Sequence, residues 1–383
     1  MAIAGRNDWE AFASAVSAHP VTAHAVGEVV GEVLERLGTH PDLAVVFVTG
    51  GHAGALEDVG RAVRAVLSPS VLLGAASGSV IGPRGDVGSG PAIVLWCALV
   101  GPVVPLLLDG RSTPRPPPFA TTACILLGDP TSPAPVSWPQ ALLRPGQGWT
   151  VPVIGGTVTR VGLLVQERVV AGAAVGALIG PSVRARLVTS DGGRPFGEAL
   201  MVTRSERNIV YELDGRPALE RLMDMVTDRL PASDVHLVNE GLRLAPLADA
   251  GPPPAGRDRA EAPLLPSLVV RGADRSNGAI ALDGTVTPDT LVKFEVRDPR
   301  AASESFERAL SADHPEAAAG ALLFRSELRD PGWFDGLPAD ATTAAGIFPT
   351  AALAGCATSV QVGPELPGDR SPTDRASLIT FEI

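Results

Sequence analysis

The chain has 383 residues, 45% of them hydrophobic and 19% charged, which is the balance of a packed globular protein and excludes a disordered one. At this length two domains are the default, because single cores stop growing at about 250–300 residues. Its 31 basic against 42 acidic residues, a net charge of −11, exclude a general binder of nucleic-acid backbone, which needs a dominant basic surface.

The opening MAIAGRNDWEAFASAV is polar and acidic where a secretory signal needs an apolar run, which predicts a cytoplasmic protein. Residues 20–37 place Val21, Ala25, Val29, Val33 and Leu37 on one helical face. LAVVFVT (43–49), bounded by Gly50-Gly51, predicts a buried strand. Residues 53–67 return to helical spacing through Leu56, Val59, Val63 and Val66, and SVLLGAAS (70–77) is a second strand running into a Gly/Ser loop. The apolar stretch 92–108 is broken by Gly101-Pro102 and Pro105, so it reads as two buried strands joined by a turn and not as a membrane span.

Strand signals follow at 121–127, 151–154, 161–165, 168–178 and 184–189, separated by proline-rich loops at 113–119 and 128–139. EALMVTRS and NIVYELDG are strands, the second ending in an Asp-Gly turn. RPALERLMDMVTDRL is an amphipathic helix with Pro217 in its first turn. GPPPAGRDRAEAP (251–263) is the strongest loop signal. The last third gives strands in LPSLVVRG, GAIALDG, TLVKFEVRD, GALLFRS and the terminal SLITFEI, with a helix over 302–312. Cys97, Cys124 and Cys356 are far apart, so they suggest neither a disulfide framework nor a metal site, and the first two lie in core-like runs.

Two decapeptides repeat one pattern: GAASGSVIGP (74–83) and GCATSVQVGP (355–364). AVVFVT precedes the first and ALLFRS the second, with 27 residues from Phe47 to Gly74 and 31 from Phe324 to Gly355. The reading is a duplicated strand–segment–strand–turn unit. Glycines in such turns expose successive N–H groups, and a nearby hydroxyl adds a donor, which together suit a carboxylate, a phosphate or an amino acid. The same turn without a ligand is the competing reading. Neither loop carries the lysine of a nucleotide-binding P-loop.

The order of these segments resembles the FIST family, built from an N-terminal and a C-terminal FIST domain. The resemblance rests on VFVTGGHA (46–53), LLGAASGSVIGPRG (72–85), GPAIVLW (90–96), LLGDP (126–130) and, most specifically, the stretch 188–222. In the second half it rests on GALLF (320–324) and GCATSVQVGPE (355–365). It implies a sensory module that binds small ligands, amino acids among them, and that signals here through a partner protein in trans. The sequence departs from the family at Gly193, where Cys is frequent, at RSELRDPGW after GALLF, and at Ser359 and Gln361, where a Gly-Glu pair is common.

The same residues admit other chemistry. His52 at a strand end, with Ser77 as nucleophile, would make a hydrolase, although no GxSxG elbow is present. Glu212 and Asp214 share a strand face, but Asp214 also suits the turn and helix cap. Arg194, next to Pro195 and flanked by Gly193 and Gly197, suits bidentate capture of a carboxylate or a structural salt bridge. The expectation is therefore an α/β to α+β protein of two related domains with mixed sheets and packed helices. It has an extension at 1–24, a FIST N-like domain at 25–215 and a FIST C-like domain at 216–383. Its function is small-ligand sensing through Ser77, Gly78, Gly82, Arg194, Gly197, Thr358 and Gly363, without cofactor, metal, catalytic residue, nucleic acid or membrane insertion. The alternatives are a scaffold with degenerate sites and the hydrolase.

Overall fold

The structure, a computed structural model, describes residues 10–111, 117–132, 152–248, 264–265, 267–312, 318–362 and 374–383. The loop at 251–263 and most of those at 113–119 and 128–139 lie outside the described residues. The described residues form two compact units, one holding those up to Ser190 and from Phe306 onward, the other those from Asp191 to Ser305. This partition differs from a division at 215/216.

Unit one opens with β1 (Phe12–Ser17), a strand the sequence reading missed because four of the six residues of FASAVS are Ala or Ser. α1 (Thr22–Leu37) buries Ala25, Val29, Val33 and Leu37 as the spacing predicts, then stops at Gly38, whose φ of 64° ends the helix. Val21 precedes the helix instead of joining its face and is 51% exposed. β2 (Leu43–Val48) and β3 (Val71–Ala76) pair in parallel across α2 (Leu56–Leu67). On α2, Leu67 takes the buried place expected of Val66, which is 48% exposed. The chain continues through β4 (Val80–Gly82), β5 (Gly85–Gly88), β6 (Ile93–Ala98), β7 (Val103–Leu108), β8 (Ala123–Gly128) and β9 (Val153–Val158). β10 (Leu163–Val165), β11 (Arg168–Val170), β12 (Ala174–Ile179) and β13 (Arg184–Asp191) follow. The run predicted as one strand at 168–178 is thus two, parted at Gly172, whose φ is 64°. Sheet 1 has the order β1-β6-β2-β3-β10-β11, with every pairing antiparallel except β2–β3.

Unit two is built from β14 (Gly193–Glu206), β15 (Ile209–Leu213), β16 (Arg216–Pro217), α3 (Ala218–Arg229), α4 (Leu237–Glu240), β17 (Leu242–Pro246), β18 (Leu268–Asp274), β19 (Ala279–Leu282) and β20 (Leu291–Arg297). Its strands are antiparallel, in the order β14-β20-β17-β18-β19-β15-β16, and β14 also pairs with β15, so the sheet closes on itself. Closure removes the free edges and wraps a core of Phe196, Leu200, Leu222, Met225 and Phe294. Pro217 lies one residue before α3 and not in its first turn.

On β20, Glu295 is buried directly across from Arg243 of β17. A Cβ at Gly193 would come within 2.5 Å of its Oε2, so the missing side chain at 193 is what leaves the carboxylate its space. Burial pushes the Glu295 carboxyl from 4.5 up to about 7, with the Ser267 hydroxyl and Arg243 pulling the other way. A raised folded-state pKa stabilises fully below the unfolded value and loses that contribution as pH climbs through about 7, a swing of roughly 3 kcal/mol. Urea midpoints should therefore fall between about pH 5 and pH 8, and Glu295→Gln should flatten that slope; equal slopes in the two proteins would refute the assignment.

After α5 (Pro299–Ser311), within which the unit boundary falls, unit one resumes with β21 (Gly320–Ser326), α6 (Asp340–Ile347), β22 (Ala352–Val362) and β23 (Arg375–Glu382). These complete sheet 2, ordered β13-β23-β21-β22-β9-β8-β12-β7, with β4 on β22 and β5 on β4. The inner faces of the two sheets share one core, in which Phe47 meets Phe324 edge to face at 5.9 Å and Phe12, Trp96 and Phe381 pack as a triangle of mutually touching rings. α1 and α2 cover the outer face of sheet 1, while α5 and α6 cover that of sheet 2. The result is a four-layer helix–sheet–sheet–helix stack.

Both strand–helix–strand crossovers lie in unit one, where β21 and β22 pair in parallel as β2 and β3 do. The registers match: Val46 stands opposite Gly74, and Leu323 opposite Gly355. In each case the next strand of the crossover's own sheet, β6 or β23, lies antiparallel beside the first strand. The two decapeptides then part company. The first turns at Ser77-Gly78-Ser79 and crosses from sheet 1 to β4 of sheet 2, whereas the second, expected to be a Gly/Ser loop, stays extended through β22. Pairing on both sides holds it there, with β21 on one edge and β4 and β9 on the other.

Candidate functional site

The Ser77 turn is held by backbone and side chain alike. Ser77 N–H donates to Val48 O at 2.9 Å, its buried hydroxyl donates to Ala357 O at 2.7 Å, and Gly78 N–H donates to Thr159 Oγ1 at 2.7 Å. Ala357 N–H returns a bond to Ser79 O at 3.0 Å, so β22 stitches the turn from the far side. These donors serve protein acceptors. Thr358, next to Ala357, is buried with its hydroxyl on Arg325 O at 3.3 Å, and Gly82 is buried in β4. Ser77, Gly78 and Thr358 thus lie about one turn, Gly82 sits further along β4, and Gly363 lies outside the described residues.

Beneath α6 the second crossover is filled by its own ions. Arg325, 1% exposed, donates to Asp86 Oδ1 at 2.8 Å, Ser79 Oγ at 3.1 Å and Arg329 O at 3.0 Å. Burial raises the Asp86 carboxyl, and Arg325 opposes that shift. Arg329 forms a two-pronged pair with Asp340 at 2.8 and 2.6 Å, both side chains fully buried. Gln361 donates its amide to Phe324 O at 3.1 Å and to Arg375 O, and accepts from Ser377 at 2.7 Å. A carboxylate there would have no hydrogen to give those two carbonyls. Burial likewise drives the Cys356 thiol far up, which keeps it inert.

Arg194 and Gly197 belong to unit two. The Arg194 guanidinium already grips two carboxylates, Asp298 at 2.5 Å and Asp234 at 2.7 Å, and Asp298 also receives the first N–H groups of α5. This is the salt-bridge reading of the residue. At Gly197 the φ of 71° is what calls for glycine, and Met225 Sδ packs within 2.6 Å of where a Cβ would stand. Asp214 makes the turn with φ 50° and accepts from Met201 N–H and Arg221; its expected cap on the helix is absent, because the side chain is bound elsewhere.

The carboxyl ends of β1, β2 and β3 share one edge of sheet 1, the edge at which open α/β sheets hold ligands. There His52, 1% exposed, bonds through Nδ1 to Thr22 Oγ1 at 2.9 Å, which leaves its buried Nε2 without a partner. No hydrogen bond joins His52 to Ser77, whose hydroxyl is spent on Ala357 O. Thr22 opens α1, a helix with neither a side-chain cap nor an acid in its first turn. Arg160, next to the Thr159 that supports Gly78, lays its guanidinium over Gly50: a Cβ there would stand 2.8 Å from Nη2. Sequence reasoning missed Thr22, Thr159 and Arg160; the one available signal was an arginine in a turn directly after a strand.

Among the described residues no helix is long and apolar enough to cross a membrane. An uncharacterized protein of Mycobacterium bovis is 30% identical over 373 residues, 90% of this chain and 92% of its own length. A second uncharacterized protein, from Mycobacterium tuberculosis, is 28% identical over 375 residues, covering 91% and 94%. The family model of the FIST N domain matches residues 42–216, a span that takes in both the His52 and the Ser77 turns. The chain therefore belongs to the FIST family, whose domain is associated with sensing and signal transduction.

Proposed function

We propose that the protein is a small-ligand sensor whose ligand, an amino acid or another small anion, binds beside the Ser77-Gly78 turn and whose signal passes to a partner protein in the cytoplasm. The observation that carries this reading is the turn itself: three residues leave sheet 1 and enter sheet 2, bonded to Val48 behind and Ala357 ahead. A group held there touches the connection between both sheets. The matched registers at Gly74 and Gly355 support an internal duplication, with residues 216–383 including a FIST C-like half. The altered second copy, with Arg325 and Arg329 satisfied internally, favours the scaffold reading for that half.

Thermal unfolding against amino acids, organic acids, phosphate and neutral controls tests the reading. A concentration-dependent rise in midpoint for one chemical class is the expected result, since a ligand that binds the folded state alone stabilises it by mass action. A flat response, with nothing retained through purification by mass spectrometry, would hand the chain to the scaffold reading.

A further inference from the structure

The edge of sheet 1 points to a defined subsite that, His52 apart, uses none of the residues singled out from the sequence. We propose that Arg160, the Gly50-Gly51-His52 turn and the first turn of α1 together bind an oxoanion, the carboxylate or phosphate group of a small metabolite. This rests on the sensor reading and names the ligand chemistry of its site.

Four observations converge. First, Arg160 makes no ion pair among the described residues, whereas Arg194, Arg325 and Arg329 are each matched by a carboxylate. A planar fork of donors without its own acid is the group that grips carboxylates and phosphates. Second, Gly50 admits the guanidinium: its missing Cβ is the space that Nη2 approaches. Third, α1 is a sixteen-residue helix whose Thr22 and Ala23 N–H groups have no intrahelical acceptor, and it has neither a capping side chain nor an acid in its first turn, so its positive end is uncompensated. Fourth, His52 is held at that helix end by Thr22 with its Nε2 buried and unpartnered, a polar atom whose burial costs free energy until a ligand or water satisfies it.

The register of the crossovers sharpens the contrast. Counting from Phe47 and Phe324, His52 corresponds to Arg329, whose guanidinium is closed off by Asp340. One copy of the unit carries its own counter-ion and the other lacks it. Binding of one oxoanion per chain follows.

The test is calorimetry at fixed ionic strength with inorganic phosphate, acetate, succinate and glutamate as probes, and glycerol and choline as neutral and cationic controls. It compares wild type with Arg160→Ala, Gly50→Ala and Arg168→Ala. Arg160 is exposed, so its loss leaves the fold intact; Gly50→Ala displaces the guanidinium by placing a methyl against it. Arg168, an exposed cation on β11, is the charge control. An oxoanion should bind one per chain, with affinity falling about tenfold or more in the first two variants and unchanged in Arg168→Ala. Phosphate against carboxylate preference identifies the source of the anion. Oxoanion binding that ignores both variants, or a response to glycerol or choline alone, overturns the subsite and leaves the sensor reading standing. No heat with any probe and no midpoint shift across the wider panel overturns both.

Discussion

Gly355→Ala should abolish soluble folded protein. Gly355 sits in the middle of β22, bonded to β21 on one side and β4 on the other, and a Cβ there would lie 1.8 Å from Leu323 O and 2.8 Å from its carbonyl carbon. No side chain can rotate to relieve that overlap, because the obstacle is the backbone of the parallel partner. Separating β21 from β22 would break the ladder at the centre of sheet 2. The cost should exceed about 4 kcal/mol, the range reserved for changes with a definite steric or burial cause. Gly74→Ala occupies the matching register but meets a movable methyl of Val46 at 2.6 Å and the Val46 carbonyl oxygen at 2.9 Å, so it should be damaging yet milder. Gly31→Ala, on α1 with nothing within 4 Å, is the control and should be neutral or slightly stabilising. Soluble yield and thermal midpoint give the ranking. A Gly355→Ala protein as stable as Gly31→Ala would sink the packing argument.

Asp340→Ala should cost about 3–5 kcal/mol, because it leaves the Arg329 charge buried without its counter-ion. The guanidinium lies 5.8 Å from the Trp333 ring and 5.7 Å from that of Phe334, and those rings occupy space that water would need. Replacing both partners, as in Arg329→Met with Asp340→Leu, removes the stranded charge and should recover most of the loss. Urea denaturation of the two single variants and the double variant forms a cycle. If each single variant loses less than about 1 kcal/mol, the pair is not sealed from solvent as described.

What the sequence revealed and concealed follows from the range of the forces involved. The 3.6-residue period of α1 and the short apolar runs of β2, β3 and β6 are local signals, and the structure has those elements where they were expected. β17 and the continuation of β22 through residues 355–362 were hidden, the one because LRLAP is short and ends in proline, the other because GCATS has almost no intrinsic strand preference. Residues 355–359 are extended because three neighbouring strands pair with them, a tertiary cause that no window of sequence contains. The same holds for the candidate site. Ser77-Gly78 was legible as a turn, yet the Ser77 acceptor lies 280 residues away, and the Arg194 partners lie 40 and 104 residues away. Arg160 belongs to no motif and becomes notable only when Gly50 is seen beneath it.

The placement of β22 also governs the order in which the molecule can be made. β4 and β9 each pair with β22 along an edge, so as the chain emerges from the ribosome they wait, half-paired, through the synthesis of all of unit two. During that interval the newborn chain exposes the apolar strands β8, β9 and β12 without the centre of their sheet, while the barrel of unit two, local in its contacts, is free to close first. A messenger truncated before residue 352 would therefore release a polypeptide with most of its mass and an open sheet, a substrate for chaperones and proteases in place of a smaller working protein.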